Sequence, residues 1–344
     1  MSTDEVFMLR ALELARMGQG TVSPNPMVGC VVVHNNTIIG EGWHEKFGAP
    51  HAEVNAIASV KDKGLLQSAV VYVNLEPCSH HGKTPPCVDL LLAHMVKKVV
   101  IANPDINPLV AGRGIRKLRD NHVEVATGVL EAEGRELNKR FFTFIARNRP
   151  FILLKWAQTA DGFIAHENYE SKWITHEYSR QLVHRWRSEE DAVLVGTRTA
   201  SHDDPRLNVR DWTGRDPVRV VIDRSLRLGD QLHLFDRSQP TICYNLLRHE
   251  EHQNLVMVRL GETNFLQELL HDLFQRGIQS VMVEGGSETL KSFIDKGLWD
   301  EARVFRSSTV FNKGIPGPIL KAHLVSEVMI KEDCLSCFMN ESPQ

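Results

Sequence analysis

The amino-acid sequence predicts two α/β domains arranged in tandem. In each half, short runs rich in β-branched residues alternate with helical stretches, and a polar, proline-ended segment at residues 147–150 separates the halves. This alternation is typical of βαβ crossovers, which place helices over a mostly parallel sheet. A chain of 344 residues is also too long for one typical hydrophobic core. We therefore expect one domain over residues 1–147 and a second over residues 148–344.

The elements of the first half follow from its periodicity. Apolar positions at helical spacing predict a helix over residues 4–17. The stretch "VGCVVVHNNTIIGEG" predicts a β-hairpin that turns at Asn35 and Asn36, because asparagine tolerates positive φ. A second helix is expected to begin near His51. Three further strands, separated by helices, are predicted at residues 70–75, 98–102 and 123–127.

The second half restarts the same rhythm directly after Pro150. The run "FILLKW" predicts its first strand, and a helix that contains Arg187 is expected to follow. Three more strands are predicted at residues 191–196, 218–223 and 280–286, and another helix is predicted after the last of them. The second half is therefore also expected to be α/β.

The charge balance and the cysteine content favour a small-molecule partner and a cytoplasmic location. The chain has 40 basic and 43 acidic residues and a net charge of -3, whereas nucleic-acid binders usually carry a basic excess. No run of about 18 apolar residues occurs, so we expect no membrane association. Six cysteines in a chain of this length are more typical of a reducing compartment than of a disulfide framework.

Two stretches carry the residue types of a catalytic zinc site. The first, "PHAEVNAIASV", contains His51 and Glu53, and the second, "EPCSHHGKTPPC", contains Cys78 and Cys87. A catalytic zinc takes three protein ligands and leaves one position open for water, and one histidine with two cysteines is an established set. We predict that His51, Cys78 and Cys87 bind one zinc ion per chain. Glu53 is the predicted proton carrier.

Helix starts explain how these side chains could converge. Positions i and i+2 lie on different sides of a regular helix, so His51 and Glu53 can face one ion only from a first helical turn, which Pro50 predicts. The prolines of "TPPC" predict another helix start, which places Cys87 where the helix dipole lowers a thiol pKa. Taken singly, a His-x-Glu pair can arise by chance, and two cysteines can be buried thiols or belong to a structural metal site.

In this order, the two stretches resemble the zinc-dependent cytidine deaminase superfamily, whose domain is an α/β/α layer with a mixed sheet. The cysteines of that superfamily are usually two residues apart, whereas eight residues separate them here. The longer loop, with "SPNPMVGC", "GWHEKFGAPHAE" and "NPDINPLVAGRGI", resembles the deaminase half of the bifunctional deaminase/reductase family of riboflavin biosynthesis. The resemblance implies that zinc-activated water replaces an amino group of a phosphoribosylated diaminopyrimidinone. The implied substrate pocket, in which Lys83 binds the phosphate, consists of Asn25, His44, His80, Lys83, Thr84, Asp105 and Asn107.

The second half resembles the reductase half of the same family, which is similar in fold to dihydrofolate reductase and uses NADPH. The resemblance rests on "KWAQTADGFIA", "VGTRTASHDDPRLNVR" and "VEGGSETL", whereas the sequence has no G-x-G-x-x-G fingerprint of an ordinary Rossmann domain. It implies hydride transfer from NADPH to C1′ of the ribosyl group, with the protein orienting donor and acceptor. The residues expected at NADPH are Ala157, Trp173, Thr199, Asp203, Gly286, Ser287, Glu288, Thr289 and Leu290, and those expected at the substrate are Lys155, Ser171, Arg187, Leu207, Arg210 and Glu284.

Several residues of the second half have narrower expectations. Arg187 and Arg210 suit the sugar phosphate, because a guanidinium can bind it through two parallel N–H bonds. Arg224 is a candidate for the additional phosphate of NADPH. Cys334 and Cys337 form a C-x-x-C pair without a second pair, which favours a structural role.

Two other functions remain compatible with the sequence. An RNA-editing deaminase would use the second half for recognition, although no basic run interleaved with aromatic residues supports it. Alternatively, the second half is a degenerate reductase that serves as a scaffold. The preferred interpretation is a bifunctional enzyme that acts on a small phosphorylated pyrimidine, binds no nucleic acid and forms a homo-oligomer, either a dimer or a tetramer.

Overall fold

The structure of the protein, a computed structural model, contains two compact units, Met1–Ala146 and Arg147–Gln344. Both units are α/β, as predicted. Among the residues that the structure describes, no helix is both long enough and apolar enough to cross a membrane. The described residues are 1–79, 85–107, 111–170 and 174–343.

The first unit contains one sheet with helices on both faces. Its helices are α1 (Thr3–Arg16), α2 (Ala52–Ser59), α3 (Cys87–Ala93), α4 (Arg113–Asp120), α5 (Glu131–Leu137) and α6 (Lys139–Arg147). Its strands are β1 (Gly29–His34), β2 (Thr37–Trp43), β3 (Val70–Leu75), β4 (Lys98–Asn103) and β5 (Glu124–Thr127). The strand order is β2-β1-β3-β4-β5. Strand β1 is antiparallel to β2 and β3, whereas β3, β4 and β5 are parallel, so the expected mixed sheet is confirmed.

Alternation along β1 explains why both faces of this sheet are covered. Val31 lies in the core under α1, and Val32 lies in the core under α2 and α3. Successive side chains of a strand point to opposite faces, so an uninterrupted apolar strand requires cover on both. The predicted hairpin turn is also confirmed, since Asn35 and Asn36 have φ values of 48° and 58°.

The second unit contains a larger sheet and a small two-stranded one. Its helices are α7 (Glu177–Glu189), α8 (Thr197–Asp203), α9 (Phe265–Gln275) and α10 (Ser287–Asp295). Its strands are β6 (Phe151–Gln158), β7 (Phe163–Ala165), β8 (Ala192–Gly196), β9 (Val218–Ile222), β10 (Thr241–Asn245), β11 (Glu250–His252), β12 (Leu255–Arg259), β13 (Ser280–Gly285), β14 (Glu301–Arg306), β15 (Ile315–Pro316), β16 (His323–Ile330) and β17 (Asp333–Met339).

Seven parallel strands form the interior of the larger sheet. The ten-stranded order is β11-β12-β10-β9-β8-β13-β6-β14-β17-β16, and the strands from β12 to β14 are parallel. Strands β11, β17 and β16 are antiparallel to their neighbours. The two-stranded sheet pairs β7 with β15.

The sequence pattern predicts only part of this larger sheet. Strands β10 and β12 have five residues each, and such short apolar runs are ambiguous in periodicity. The segment around Val304 and Phe305 forms the interior strand β14, in which both residues are buried. Strand β16 lacks a buried face, so it gives no alternating signal.

The segment predicted to separate the domains contributes a buried ion pair to the second unit. Arg149 is 4% exposed, and its Nη1 and Nη2 donate to Asp300 Oδ2 and Oδ1 at 2.7 and 2.9 Å. Asp300 Oδ2 also accepts the Ile152 N–H at 2.7 Å. The pair therefore fixes the chain where it enters β6.

Replacing Arg149 tests this ion pair. Arg149→Leu leaves the Asp300 carboxylate buried without its countercharge, so we expect the free energy of unfolding of the second unit to fall by about 3–5 kcal/mol. Differential scanning calorimetry measures this change. In the control, Arg248→Leu, the lost pair with Glu250 is exposed, and the expected cost is below about 1 kcal/mol. Equal losses in the two variants would contradict the assignment.

Candidate active sites

Two helix starts and the chain after β3 bring the three predicted metal ligands together. His51 is the N-cap residue of α2, and Cys87 is the first residue of α3. His51 Nδ1 lies 3.6 Å from Cys78 Sγ and 3.3 Å from Cys87 Sγ. The ligand atoms of all three residues lie within 4.8 Å of one another.

These distances fit a tetrahedral zinc ion. Zinc bonds of about 2.3 Å to sulfur and about 2.0–2.1 Å to nitrogen, at the tetrahedral angle, place ligand nitrogen and sulfur about 3.5 Å apart. The two nitrogen–sulfur distances, 3.6 and 3.3 Å, lie on either side of this value. Three ligands of this type leave the fourth position for water or substrate.

The two sulfur atoms titrate as a pair. Hydrogen bonding from the Cys87 side chain, and then from His51, lowers the pKa of Cys78 to about 4 although burial opposes this. The Cys87 N–H also donates to Cys78 Sγ at 3.3 Å. The bond to Cys78, together with burial, raises the pKa of Cys87, so the lowered pKa expected for Cys87 at its helix start is found at Cys78 instead. The two pKa values are therefore shifted in opposite directions, and binding of a metal ion requires both cysteines as thiolates.

Glu53 lies beside these ligands in the first turn of α2. Its side chain is buried, and burial, followed by the negative charge of Cys78, raises its pKa. A carboxyl group with a raised pKa suits repeated uptake and release of a proton. The expected first-turn placement is confirmed, but Pro50 is not its first residue: Pro50 precedes the N-cap residue His51, because His51 is still extended.

Two predicted substrate residues of the first unit are hydrogen-bonded to each other. His44 is buried, its Nδ1 lies 3.0 Å from the Pro50 carbonyl oxygen, and its Nε2 lies 3.0 Å from Asn25 Nδ2. Since a carbonyl can only accept, Nδ1 carries the proton and Nε2 accepts from the Asn25 amide. The His44 ring also lies edge-on to His51, with centroids 5.6 Å apart.

Asp105 and Asn107 lie on the chain after β4, close to the end of β3. Asp105 Oδ1 accepts the Asn107 N–H at 2.8 Å, and the Asp105 N–H donates to Glu76 at 3.1 Å. The remaining predicted substrate residues of this pocket, His80, Lys83 and Thr84, lie outside the described residues. Ser171 and Trp173 of the second unit also lie outside them.

A cavity of about 1570 Å³ opens at the carboxyl ends of the parallel strands in the second unit. Its volume exceeds the roughly 300–1,000 Å³ of a typical pocket for one ligand, so it has room for a cofactor and a substrate. All the predicted reductase residues that the structure describes line it: Lys155, Ala157, Arg187, Thr199, Asp203, Leu207, Arg210, Glu284, Gly286, Ser287, Glu288, Thr289 and Leu290.

A buried charge cluster lies in the wall of this cavity. Arg187 Nε and Nη2 donate to the two carboxylate oxygens of Glu284 at 2.6 and 2.9 Å, and Arg187 Nη1 donates to the Asn208 carbonyl at 3.1 Å. Lys155 Nζ lies 3.7 Å from Glu284 Oε2. Although burial opposes it, the charges of Arg187 and Lys155 lower the pKa of Glu284 to about 2. Burial lowers the pKa of Lys155.

Thr199 and residues 286–290, among the predicted cofactor residues, lie at the starts of α8 and α10, whereas Asp203 ends α8 and Ala157 lies in β6. A Cβ at Gly196 would lie 2.3 Å from Thr289 Oγ1, and a Cβ at Gly286 would lie 3.0 Å from Thr199 Oγ1. The glycines therefore let the two helix starts approach each other. The first N–H groups of α10, an anion-binding arrangement, line the cavity through Ser287 and its neighbours. These features fit a dinucleotide with a diphosphate.

Two other expectations concern single arginine and cysteine positions. Arg224 lines the cavity, and its guanidinium carbon lies 5.0 Å from the centre of the Phe265 ring. Cys334 and Cys337 both lie in β17, where residues three apart point to opposite faces. Cys337 packs against the core, which agrees with the expected structural role.

Sequence reasoning missed several polar residues that shape the sites. Glu76 accepts four backbone N–H bonds near the metal ligands. His184 lies in the cavity wall, where burial, aided by the charge of Arg187, lowers its pKa to about 4, and its Nδ1 accepts the Arg210 N–H at 3.4 Å. Asp161 accepts backbone N–H bonds from Phe311 and Asn312, which precede β15. The sequence signal that could have identified Glu76 is its position directly before Pro77 and the predicted metal ligand Cys78.

Two family models match the two halves of the chain. The cytidine and deoxycytidylate deaminase zinc-binding region matches residues 1–103. The RibD C-terminal domain matches residues 150–314. These matches agree with the zinc-compatible cluster of the first unit and the cavity of the second.

Relatives match the chain over nearly its whole length. The riboflavin biosynthesis protein RibD of Aquifex aeolicus is 42% identical over 91% of this chain and 89% of that protein. The RibD of Actinobacillus pleuropneumoniae is 40% identical over 99% and 96%. A crystal structure from Thermotoga maritima, a diaminohydroxyphosphoribosylaminopyrimidine deaminase/5-amino-6-(5-phosphoribosylamino)uracil reductase, has a TM-score of 0.90 and 40% identity over 98% of each chain. The chain therefore belongs to the RibD family of riboflavin biosynthesis proteins.

Proposed function

We propose that the protein catalyses two successive steps of riboflavin biosynthesis. The first unit deaminates 2,5-diamino-6-(5-phosphoribosylamino)pyrimidin-4(3H)-one by hydrolysis, and the second uses NADPH to reduce the ribosyl group, which gives 5-amino-6-(5-phosphoribitylamino)uracil. The observation that carries the proposal is the cluster of His51, Cys78 and Cys87 at zinc-compatible distances. The similar Thermotoga maritima protein is described as a deaminase and a reductase.

The deaminase site combines one cation with one buried carboxyl. A zinc ion bound to His51, Cys78 and Cys87 would act as a Lewis acid, which makes water nucleophilic near neutral pH. Glu53 accepts a proton from the attacking water and passes it to the leaving amino group, which departs as ammonia. The raised pKa of Glu53 supports both transfers.

The substrate of the first unit is proposed to lie between the Asn25 and Asp105 segments. His44 fixes the orientation of the Asn25 amide through its Nε2. The His44 ring is itself held in place, because its Nδ1 donates to the Pro50 carbonyl oxygen. Asp105 and Asn107 supply polar groups from the chain after β4. We assign phosphate binding to Lys83, with His80 and Thr84 beside it, on the family resemblance alone.

The reductase site holds two ligands in one cavity. NADPH supplies the hydride, and we propose that Ala157, Thr199, Asp203 and residues 286–290 orient it, together with Trp173. Glu284 stays ionised, because Arg187 and Lys155 surround it, and it accepts hydrogen bonds from N–H groups of the pyrimidine.

The two arginines expected at the sugar phosphate occupy different environments. Arg187 is buried and directs two nitrogens to Glu284. Arg210 is exposed at the cavity, where its Nη1 donates to Asn208 Oδ1 at 3.0 Å. We therefore propose Arg210 as the phosphate ligand, with Ser171 and Leu207 beside the substrate, and Arg187 as the group that keeps Glu284 charged.

We propose that the deaminase and reductase domains are residues 1–147 and 148–344. All six cysteines lie among the described residues and none forms a disulfide, which supports a reducing, cytoplasmic location. A homo-oligomer, either a dimer or a tetramer, is supported by β16. This edge strand exposes four apolar side chains, Leu324, Val325, Val328 and Met329, and such edges pair readily with another chain.

Substitution of Glu53 tests the order of the two reactions. With the diaminopyrimidinone substrate, wild-type protein is expected to release ammonia without NADPH and to oxidise NADPH when it is added. Glu53→Gln is expected to reduce both signals by at least about 100-fold, because the proton carrier is lost. Zinc content measured by elemental analysis stays near one per chain, and supplying the deaminated intermediate restores NADPH oxidation. Undiminished ammonia release would refute the role of Glu53.

Substitution of Arg187 tests the charge cluster of the reductase. Arg187→Ala leaves Glu284 buried with Lys155 as its remaining cation, so we expect kcat/KM for reduction to fall by about 10- to 1000-fold. Ammonia release is expected to stay unchanged. Arg185→Ala, which removes an exposed arginine paired with Glu189 on the same helix, is the matched control. A similar loss in ammonia release would contradict the proposed separation of the two activities.

The oligomer prediction is tested at β16. Light scattering is expected to give a dimeric or tetrameric mass for the wild type and a smaller mass for Val325→Lys/Val328→Lys, because charges on an exposed edge oppose pairing. Val310→Lys, at another exposed apolar residue, serves as the control and is expected to keep the wild-type mass. A monomeric wild type would contradict the oligomer, and an unchanged mass in the double variant would contradict this interface.

A further inference from the structure

Glu76 is a buried acid with no assigned part in either the deaminase or the reductase site. It follows β3 directly, lies two residues before the ligand Cys78, and is 4% exposed. Its N–H donates to the Asn103 carbonyl at 3.0 Å. A buried carboxylate is costly unless hydrogen bonds satisfy it, so its partners indicate why it is there.

The partners of Glu76 are four backbone N–H groups, one in residues 103–107 and three in residues 111–115. Oε2 accepts from Asp105 at 3.1 Å on one flank and from Gly112 at 3.0 Å on the other. Oε1 accepts from Gly114 at 2.9 Å and from Ile115 at 3.1 Å. An ionised carboxylate has about four acceptor positions, and the backbone uses all of them.

Two glycines shape the start of α4 beside Glu76. A Cβ at Gly114 would lie 2.3 Å from the Pro77 carbonyl oxygen, which is too close for any side chain. Gly112 has a φ of 71°, a left-handed conformation that glycine adopts readily. The glycine pattern of "AGRGI" therefore allows α4 to begin against the residues that precede Cys78.

We propose that Glu76 is a positioning residue for deamination, which sets the substrate segment against the metal centre. Its carboxylate fixes Asp105 through the backbone, and the Asp105 side chain then holds the Asn107 N–H at 2.8 Å. Because Glu76 and Cys78 are two residues apart, one short stretch of chain carries both a metal ligand and the acceptor that fixes Asp105. The inference rests on the proposed substrate role of Asp105 and Asn107.

Glu76→Gln tests the proposal. The new amide group presents a donor to backbone donors, so residues 105–107 and 111–115 should lose their fixed position while the metal ligands keep theirs. We expect KM for deamination to rise by about 10- to 100-fold with a much smaller change in kcat. Zinc stays near one per chain, and reduction of the deaminated intermediate is unchanged. Hydrogen exchange is expected to show faster amide exchange at Asp105, Gly112 and Gly114, independently of any activity.

Two further variants keep the proposal falsifiable. Glu124→Gln makes the same change at an exposed residue of β5 paired with Lys98 and is expected to match the wild type. Gly114→Ala displaces the start of α4 by a clash with the Pro77 carbonyl oxygen while the Glu76 side chain is unchanged. It is expected to reproduce the rise in KM, even if Glu76→Gln fails to fold.

The possible outcomes separate this inference from the proposed function. Wild-type exchange rates in folded Glu76→Gln, or a normal KM in Gly114→Ala, would overturn the positioning role. Loss of zinc together with activity in Glu76→Gln would also overturn it, because Glu76 would then be required for the metal centre itself. A wild type that releases no ammonia would refute the deaminase function instead, while the exchange measurement would still test the contacts of Glu76.

Discussion

The convergence of two helix starts at the end of one strand determines the chemistry of the first unit. His51 caps α2 and Cys87 begins α3, and His51 Nδ1 lies 3.6 Å from Cys78 Sγ and 3.3 Å from Cys87 Sγ. The helices are held there by apolar packing, since Ala56 of α2 and Val88 of α3 belong to the same core. The ligand distances are therefore set by rigid, packed elements, which suits a site that must bind a metal without rearrangement.

The second unit uses the ends of parallel strands in a different way. Its cavity wall contains Arg187, Glu284 and Lys155, which are charged groups in a largely buried setting. Such charges are tolerated when the pairing is close and the remaining donors are satisfied, and Arg187 meets this condition with three hydrogen bonds. The cavity therefore has the ionised carboxylate of Glu284 near the end of β13 and, separately, the first N–H groups of α10, which suit an anion.

The sequence predicted structural features correctly where the residue types involved have few alternative roles. The prolines, the histidine and the two cysteines predicted the metal cluster, and Asn35 and Asn36 predicted the hairpin, because few other roles fit those residues in that order. The alternating strands predicted the α/β class. The reductase contacts depended on family resemblance, since their individual residues have many structural roles.

The features that the sequence did not predict depend on tertiary contacts. The sequence does not distinguish Glu76 from an ordinary acidic residue, because its four N–H donors lie on the chain after β4 and meet it only in the folded protein. The pairing of Arg187 with Glu284 joins residues 97 positions apart, which no local pattern reveals. Strand β14 is held in the sheet by neighbours on both sides rather than by its own periodicity.

X-ray absorption at the zinc edge directly measures the atoms that surround the zinc ion bound by His51, Cys78 and Cys87. We expect two sulfur ligands at about 2.3 Å, one imidazole nitrogen at about 2.0–2.1 Å and one further light atom. The same spectrum from Cys87→Ser should show one sulfur fewer. A spectrum with four sulfur ligands, with none, or with no change in the variant would contradict the proposed metal centre.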